Sequence, residues 1–198
     1  MLSLRRGLGL VLLVILAALA ILALPGPAHA YGCPEQPLDR TFRPWLDPAW
    51  YTPAPNGGLE SGASGWTLER GASVVDGNEP FHVGGSGDAS SLALPPGGSA
   101  TTAPMCIGVE HPTLRFFARN SADPASALTV SVVFRDALGQ SRALPVGVVT
   151  ARSEWAPTPV VPVVVNLLGD QQVAFRFTAV DGGEWTIDDV YVDPYKKG

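Results

Sequence analysis

The sequence predicts a single all-β sandwich, and three observations carry that expectation. Segments 114–119, 128–135 and 173–178 alternate apolar with polar residues, the period of two of a half-buried strand. Shorter β-branched runs are set apart by clusters of Gly, Pro, Asn, Asp and Ser, giving roughly nine or ten short strands in all. No segment after residue 30 repeats apolar residues at helical spacing over an adequate length.

The first 30 of the 198 residues stand apart from that pattern. Arg5 and Arg6 precede an apolar stretch over residues 8–24, and Ala28-His29-Ala30 follows Pro25 and Pro27 as a small-x-small cleavage pattern. That is the layout of a secretory signal peptide, so a secreted, extracellular or cell-envelope protein is expected. It would touch a membrane only if the peptide stayed uncleaved, the apolar run being nearly long enough to span one. Cleavage leaves 168 residues (198 less 30), enough for one domain with a real core. Losing two arginines takes the formal charge from −5 to −7. Such a chain is a poor partner for nucleic acid, whose phosphates need Lys and Arg to neutralise them.

Residues 31–55 carry Pro34, Pro37, Pro44, Pro48, Pro53 and Pro55 among aromatics. Proline at this density blocks helices and ladder pairing, which predicts an extended N-terminal arm. Phe42, Trp45 and Trp50 are expected to hold the arm by packing on the domain, with an exposed binding surface as the other use of such aromatics. Cys33 and Cys106 are the two cysteines. In an oxidising compartment an even pair reads as one disulfide, closing a loop of about 70 residues and contributing about 4 kcal/mol in the chain-entropy model. The alternative, a lipidated Cys33, lacks the preceding residues of such a site, since Ala30-Tyr31-Gly32 stands there.

The sandwich is expected over residues 56–195. Its first and last segments, Asn56-Gly57-Gly58-Leu59-Glu60 and Trp185-Thr186-Ile187-Asp188-Asp189-Val190-Tyr191-Val192, both read as strands with acidic residues amid apolar neighbours. Carboxylates in that setting cost free energy unless something pairs them, and a cation shared by head and tail would do so. Between them, 73–75, 91–94, 146–150 and 160–167 are further strand candidates, and Asp136-Ala137-Leu138-Gly139 is a hairpin turn leading into 141–146. The alternation puts Leu114, Phe116, Ala118, Val130, Val132, Phe134, Val173, Phe175 and Phe177 on core faces. Arg115, Phe117, Arg119, Arg135 and Arg176 fall on the opposite faces. If these strands are neighbours, four arginines converge on one sheet face. They would suit an acidic sugar, or a polar glycan stacked on Phe117, with Trp155 and Tyr191 as further aromatic candidates. In the plainer reading, each arginine pairs with an acidic neighbour or covers apolar surface with its stem.

The ordered landmarks Asn56-Gly57-Gly58-Leu59-Glu60, Gly65-Trp66, Val75-Asp76-Gly77 and Ile187-Asp188-Asp189-Val190 resemble those of the calcium-containing carbohydrate-binding modules of bacterial glycanases. The resemblance covers residues 56–193. It implies a galactose-binding-like jelly-roll β-sandwich with a structural calcium between the first and last strands. Carried onto this chain, Glu60 and Asp188 would give carboxylate oxygens, Gly58 a backbone carbonyl, and Glu79 or Asp76 a further oxygen. Calcium takes six to eight such oxygens in irregular geometry. In the plainer reading Glu60 and Asp188 are ordinary edge-strand or turn carboxylates.

Signals of catalysis are sparse. His82 and His111 form no paired-histidine metal motif, no Gly-x-Ser-x-Gly elbow is present, and the disulfide would consume both thiols. The reading is a secreted, non-catalytic carbohydrate-binding protein whose partner is a polysaccharide or cell-surface glycan. The alternatives are a structural or adhesive envelope protein without sugar affinity and, last, an unrecognised hydrolase.

Overall fold

The computed structural model describes residues 33–150, 153–163, 171–180 and 182–194. The expected signal peptide lies outside these residues, as do Tyr195 and residues 164–167 of the apolar run beginning at Val160.

Thirteen strands are present among the described residues: β1 (Thr52–Pro53), β2 (Thr67–Glu69), β3 (Ser73–Asp76), β4 (Ser90–Leu94), β5 (Ser99–Thr101), β6 (Met105–Ile107), β7 (Thr113–Asn120), β8 (Leu128–Arg135), β9 (Ser141–Val149), β10 (Ala156–Pro157), β11 (Val161–Pro162), β12 (Gln171–Ala179) and β13 (Trp185–Asp193). They form two antiparallel sheets. One runs β10-β7-β13-β4-β3, with β1 also on β13 and β11 also on β7. The other runs β2-β5-β12-β8-β9, with β6 also on β12. The expected sandwich is therefore present. So is the hairpin turn: the Asp136 carboxylate accepts the Leu138 and Gln140 N–H groups, and Gly139 supplies the positive φ of 74°.

The alternating residues do what their period demands. Leu114, Phe116, Val130, Val132, Val173, Phe175 and Phe177 are fully buried between the sheets. Phe116 meets Phe177 edge-on at 5.0 Å, and Trp66 stacks on Phe177 at 6.1 Å. Burying side chains of this size contributes about 2 kcal/mol each relative to exposure.

Head and tail do lie side by side, but the head is only partly a strand. Thr52 pairs with Val192 and Pro53 with Tyr191. The Ala54 N–H then donates to the Val190 carbonyl at 2.8 Å, and the Val190 N–H returns to Gly57 O at 3.2 Å. A Cβ on Gly57 would lie 2.6 Å from Val190 O, so only glycine permits this approach. Beyond Gly57 the expected strand is replaced by consecutive turns. Asn56 and Leu59 take positive φ (51° and 61°), and the Asn56 side chain binds Gly62 O, Ser64 O and the Ser61 N–H. Those local bonds outcompete a ladder that an apolar-acidic pattern alone suggests.

The arm forms a third layer, over the outer face of the seven-stranded sheet. Phe42, Tyr51, Phe117 and Tyr191 make a second buried cluster, with Trp45, Ala49, Val83 and Trp155 packed against it. Phe42 stacks on Phe117 at 5.4 Å. The Arg115 Nη1 donates to Asp47 Oδ2 at 2.7 Å, its Nε donates to Thr158 O, and its guanidinium lies 4.5 Å over the Phe42 ring. Tyr51 Oη donates to the same Asp47 oxygen. Burial pushes the Asp47 carboxyl up, but the bonds from Tyr51, Ala49 and Arg115 outweigh it and hold the group below its ordinary value. The Cys33–Cys106 disulfide ties down the start of the arm. Beside it, His111 Nδ1 accepts the Gly108 N–H, and its Nε2 pairs with Gln36, whose amide donates to Cys106 O.

Arg115→Ala therefore leaves Asp47 half-buried without its cation. It should lower unfolding free energy by about 3 kcal/mol in denaturant titration, whereas an exposed Arg135→Ala should change it by under about 0.5 kcal/mol.

Candidate functional site

Where head meets tail, the structure gathers carboxylates. Oxygens of Glu79, Asp88 and Asp189 all lie within 4.8 Å of one another. Glu79 is fully buried and Asp189 nearly so. Glu60, Gly58 and Tyr191 line the same small cleft, of about 250 Å³.

Local structure explains how each acid arrives. β13 carries a bulge between Asp188 and Tyr191, with Asp189 at a φ of 50°, so the two consecutive aspartates are aimed differently. Glu79 is held by its own loop, its Oε1 accepting the Val83 N–H at 2.7 Å and its Oε2 the Phe81 N–H. Asp88 Oδ2 accepts the Gly84 N–H at 3.1 Å. Glu60 Oε1 accepts the N–H groups of Ala89 and Ser90 at 2.9 and 2.8 Å. Glu60 thus ties the turn region after Gly57 to the 79–90 loop, Glu79 and Asp88 fold that loop on itself, and Asp188 ties the loop to the last strand.

The metal ligand set expected from the sequence is corrected at two points. Asp189, not Asp188, joins the cluster. Asp188 is buried beneath it and spends its oxygens on backbone, Oδ1 on the Asp189 N–H and Oδ2 on the Glu79 N–H. Asp76 ends β3 as an exposed residue opposite Ser90, apart from the cluster. Asp88 was not legible as a site residue, since its Gly-Ser-Gly-Asp context reads only as a loop.

Electrostatics make the cluster unstable as it stands. Burial, then the charges of Asp88, Glu79 and Glu60, push Asp189 up to about 8. Burial, then Asp189, pushes Asp188 up to about 9, and burial, then Glu60, raises Asp88. Among the described residues, no Lys or Arg forms an ion pair with any of these acids. Asp189 Oδ2 is buried without a hydrogen-bond partner, and a Cβ on Gly58 would intrude to 3.1 Å from Asp189 Oδ1. An orphaned buried oxygen, a glycine that keeps space open beside it, and an all-oxygen donor set are what a hard divalent cation requires.

The residues expected to bind a glycan do not converge. β7 belongs to the sheet of β13, whereas β8 and β12 pair with each other in the opposite sheet. Arg115 and Arg119 therefore face away from Arg135 and Arg176, correcting the expectation of one four-arginine face. Arg115 and Phe117 are also closed off: Phe117 has no exposed surface, and Arg115 is sequestered by Asp47 and Phe42. Their outward-facing positions became interior because the arm covers them. At the arm's margin the exposed Arg119 lies 5.1 Å over the Trp155 ring, which itself packs against the arm cluster.

The outer face of the six-stranded sheet has a different character. Arg176 stands at its centre, flanked by Thr101 on β5 and Ser131 on β8, and its Nε donates to Thr101 Oγ1 at 3.1 Å. Arg135 and Gln172 are exposed toward one end, beside a shallow groove of about 320 Å³.

No protein-family model matches the sequence, and no curated protein sequence does. Solved structures do match the fold. One is the CBM22-1 xylan-binding domain of Xyn10C from Paenibacillus barcinonensis, at 14% identity and a TM-score of 0.52, covering 72% of this chain and 93% of that one. The CBM22-1–GH10 modules of Clostridium thermocellum xylanase 10B, complexed with xylohexaose, match at 13% identity and a TM-score of 0.50, covering 69% of this chain and 27% of that one. The tandem CBM22-1–CBM22-2 domain of the Paenibacillus enzyme matches at 14% and 0.50, covering 68% and 42%. In fold, this chain is thus similar to carbohydrate-binding modules of glycanases, the jelly-roll group its end motifs resemble.

Proposed function

We propose that this protein is a secreted, non-catalytic module that binds a polysaccharide on the open face of its six-stranded sheet. A calcium ion at the carboxylate cluster would lock its head to its tail. The observation that carries the reading is the asymmetry of the two outer faces. The arm fills one with aromatics. On the other, where among the described residues the arm is tied only at Cys106 of β6, the strands present small and polar residues around Arg176, with Val133 and Val148 among them. The Cys33–Cys106 disulfide supports an oxidising, extracellular or envelope location. Glu79, Asp88 and Asp189 would supply carboxylate oxygens to the ion, with Glu60 and the Gly58 backbone alongside.

A second reading has its own observation. Among the described residues, the strands of the six-stranded sheet put no Trp, Tyr or Phe on its outer face, so a stacking platform for sugar rings is missing there. A structural or adhesive envelope protein would need none. Affinity electrophoresis against xylan, galactan and acidic polysaccharides separates the two. Retarded migration with at least one polymer is expected, and unretarded migration with all of them would favour the structural role.

Calcium at about a hundred times its Kd should contribute about 2.7 kcal/mol, raising Tm by roughly 5–10 °C by differential scanning calorimetry. Asp189→Asn should abolish that rise. An identical Tm in calcium and in chelator would overturn the assignment.

The pH dependence follows from the raised carboxyls. Without calcium the folded state holds protons that the unfolded chain releases near pH 4. Stability should therefore fall as pH rises from about 4 to about 9. With calcium bound the acids are already ionised, so the stabilisation by calcium should be larger at pH 8 than at pH 5.

A further inference from the structure

We infer that the open sheet face selects a uronic-acid-bearing polysaccharide, with the Arg176 guanidinium receiving the sugar carboxylate. This rests on the polysaccharide-binding reading above and names the chemistry of its ligand.

The strand register fixes the surroundings of Arg176. Across the sheet its neighbours are Thr101 and Ser131; along β12 they are Ala174 and Thr178. All four are small, and Ser131 and Ala174 are buried, so the one long cationic side chain lies over a low floor and reaches across to β5. The half-buried Arg176 spends its Nε on Thr101 Oγ1. That bond fixes the plane of the guanidinium. The Nη donors remain, and among the described residues no carboxylate forms an ion pair with them. A guanidinium carries five donors in a rigid fork that matches a carboxylate in bidentate fashion. Three other arginines are engaged more fully: Arg115 holds Asp47, Arg142 holds Asp136, and Arg119 lies over Trp155.

Local charge separates the ligand classes, since the described strands set Arg176 and Arg135 on this face against one acid, Glu69, whose carboxylate already accepts Ser99 Oγ. A neutral glycan is usually gripped by aromatic stacking, and among the described residues the strands of this face offer no ring. A charge-assisted bond to a carboxylate needs none and is about twice as strong as a neutral one. Arg135, exposed on the adjacent β8 toward the Gln172 end, extends the same positive character along the floor, so successive acidic sugars would find a second cation.

The test is isothermal titration of the protein with glucuronoxylan and with the same polymer after its carboxyl groups are reduced to alcohols. Glucuronoxylan should bind at least tenfold more tightly. Arg176→Gln should erase the difference while leaving the melting temperature unchanged, and Arg176→Lys should keep part of it. Equal affinity for native and reduced polymer would overturn the inference while leaving polysaccharide binding intact. So would a preference that survives Arg176→Gln, or tighter binding of a sulfated xylan than of the uronate form. Binding to none of these polymers would overturn the polysaccharide reading itself, and the inference with it. The native-versus-reduced comparison needs no variant, so it decides even if Arg176→Gln does not fold.

Discussion

The fold depends on the closure of its head against its tail. A jelly roll whose last strand were free on one side would leave unpaired backbone groups along β13 and an open seam into the core. Here β1 and the residues to Gly57 run along the 190–192 stretch of β13, and the exchange between Ala54, Val190 and Gly57 completes the pairing. The geometry has little tolerance, because Gly57 approaches the Val190 carbonyl too closely for any side chain. The same seam then places Gly58 and Glu60 next to Asp189 and Asp88, so the carboxylate cluster is a consequence of closure as much as a brace for it. Buried acids that repel one another would pull the seam apart unless neutralised, and protons or a cation are the two ways to do that.

The arm decides which faces of the sandwich are available. In a two-layer sandwich, Phe117, Tyr191 and Arg115 would all face solvent. The arm converts that face into a second interior, with stacked rings and an arginine that holds Asp47 while lying over Phe42. Its two ends are fixed, by the disulfide at Cys33 and by the strand pairing at Thr52, so the cover is built in. The opposite sheet keeps its outer face free of that aromatic cluster, with the small residues Thr101, Ser131, Ala174 and Thr178 around Arg176.

Much of this was legible in the amino-acid order. The period of two on β7, β8 and β12 named the core correctly, because a strand with one buried face has little alternative. The cysteines pair as expected, and of the aromatics expected to pack, Phe42 and Trp45 join the second buried cluster while Trp50 lies against Arg40 outside it. Alternation, however, says which side of a strand a residue is on and nothing about which sheet the strand joins. Arg115 and Arg119 therefore share a pattern with Arg135 and Arg176 in the sequence but not a sheet in the fold. The 56–60 segment reads as a strand by its apolar-acidic pattern, yet Asn56-Gly57-Gly58 is itself a turn signal, and the three local bonds of the Asn56 side chain decide for the turn. Asp188 stood in for Asp189 because one bulge reverses which aspartate faces the cleft. Asp88 carried no signal in a loop of glycine and serine.

The central claim is that a cation at Glu79, Asp88 and Asp189 secures the closure of head on tail. Hydrogen–deuterium exchange at the Ala54 and Val190 amides, in saturating calcium and then in chelator, tests it at the seam itself. The account predicts that exchange at both amides slows by about tenfold or more with calcium, while core amides of β8 change less. Equal exchange in the two conditions at Ala54 and Val190 would contradict it.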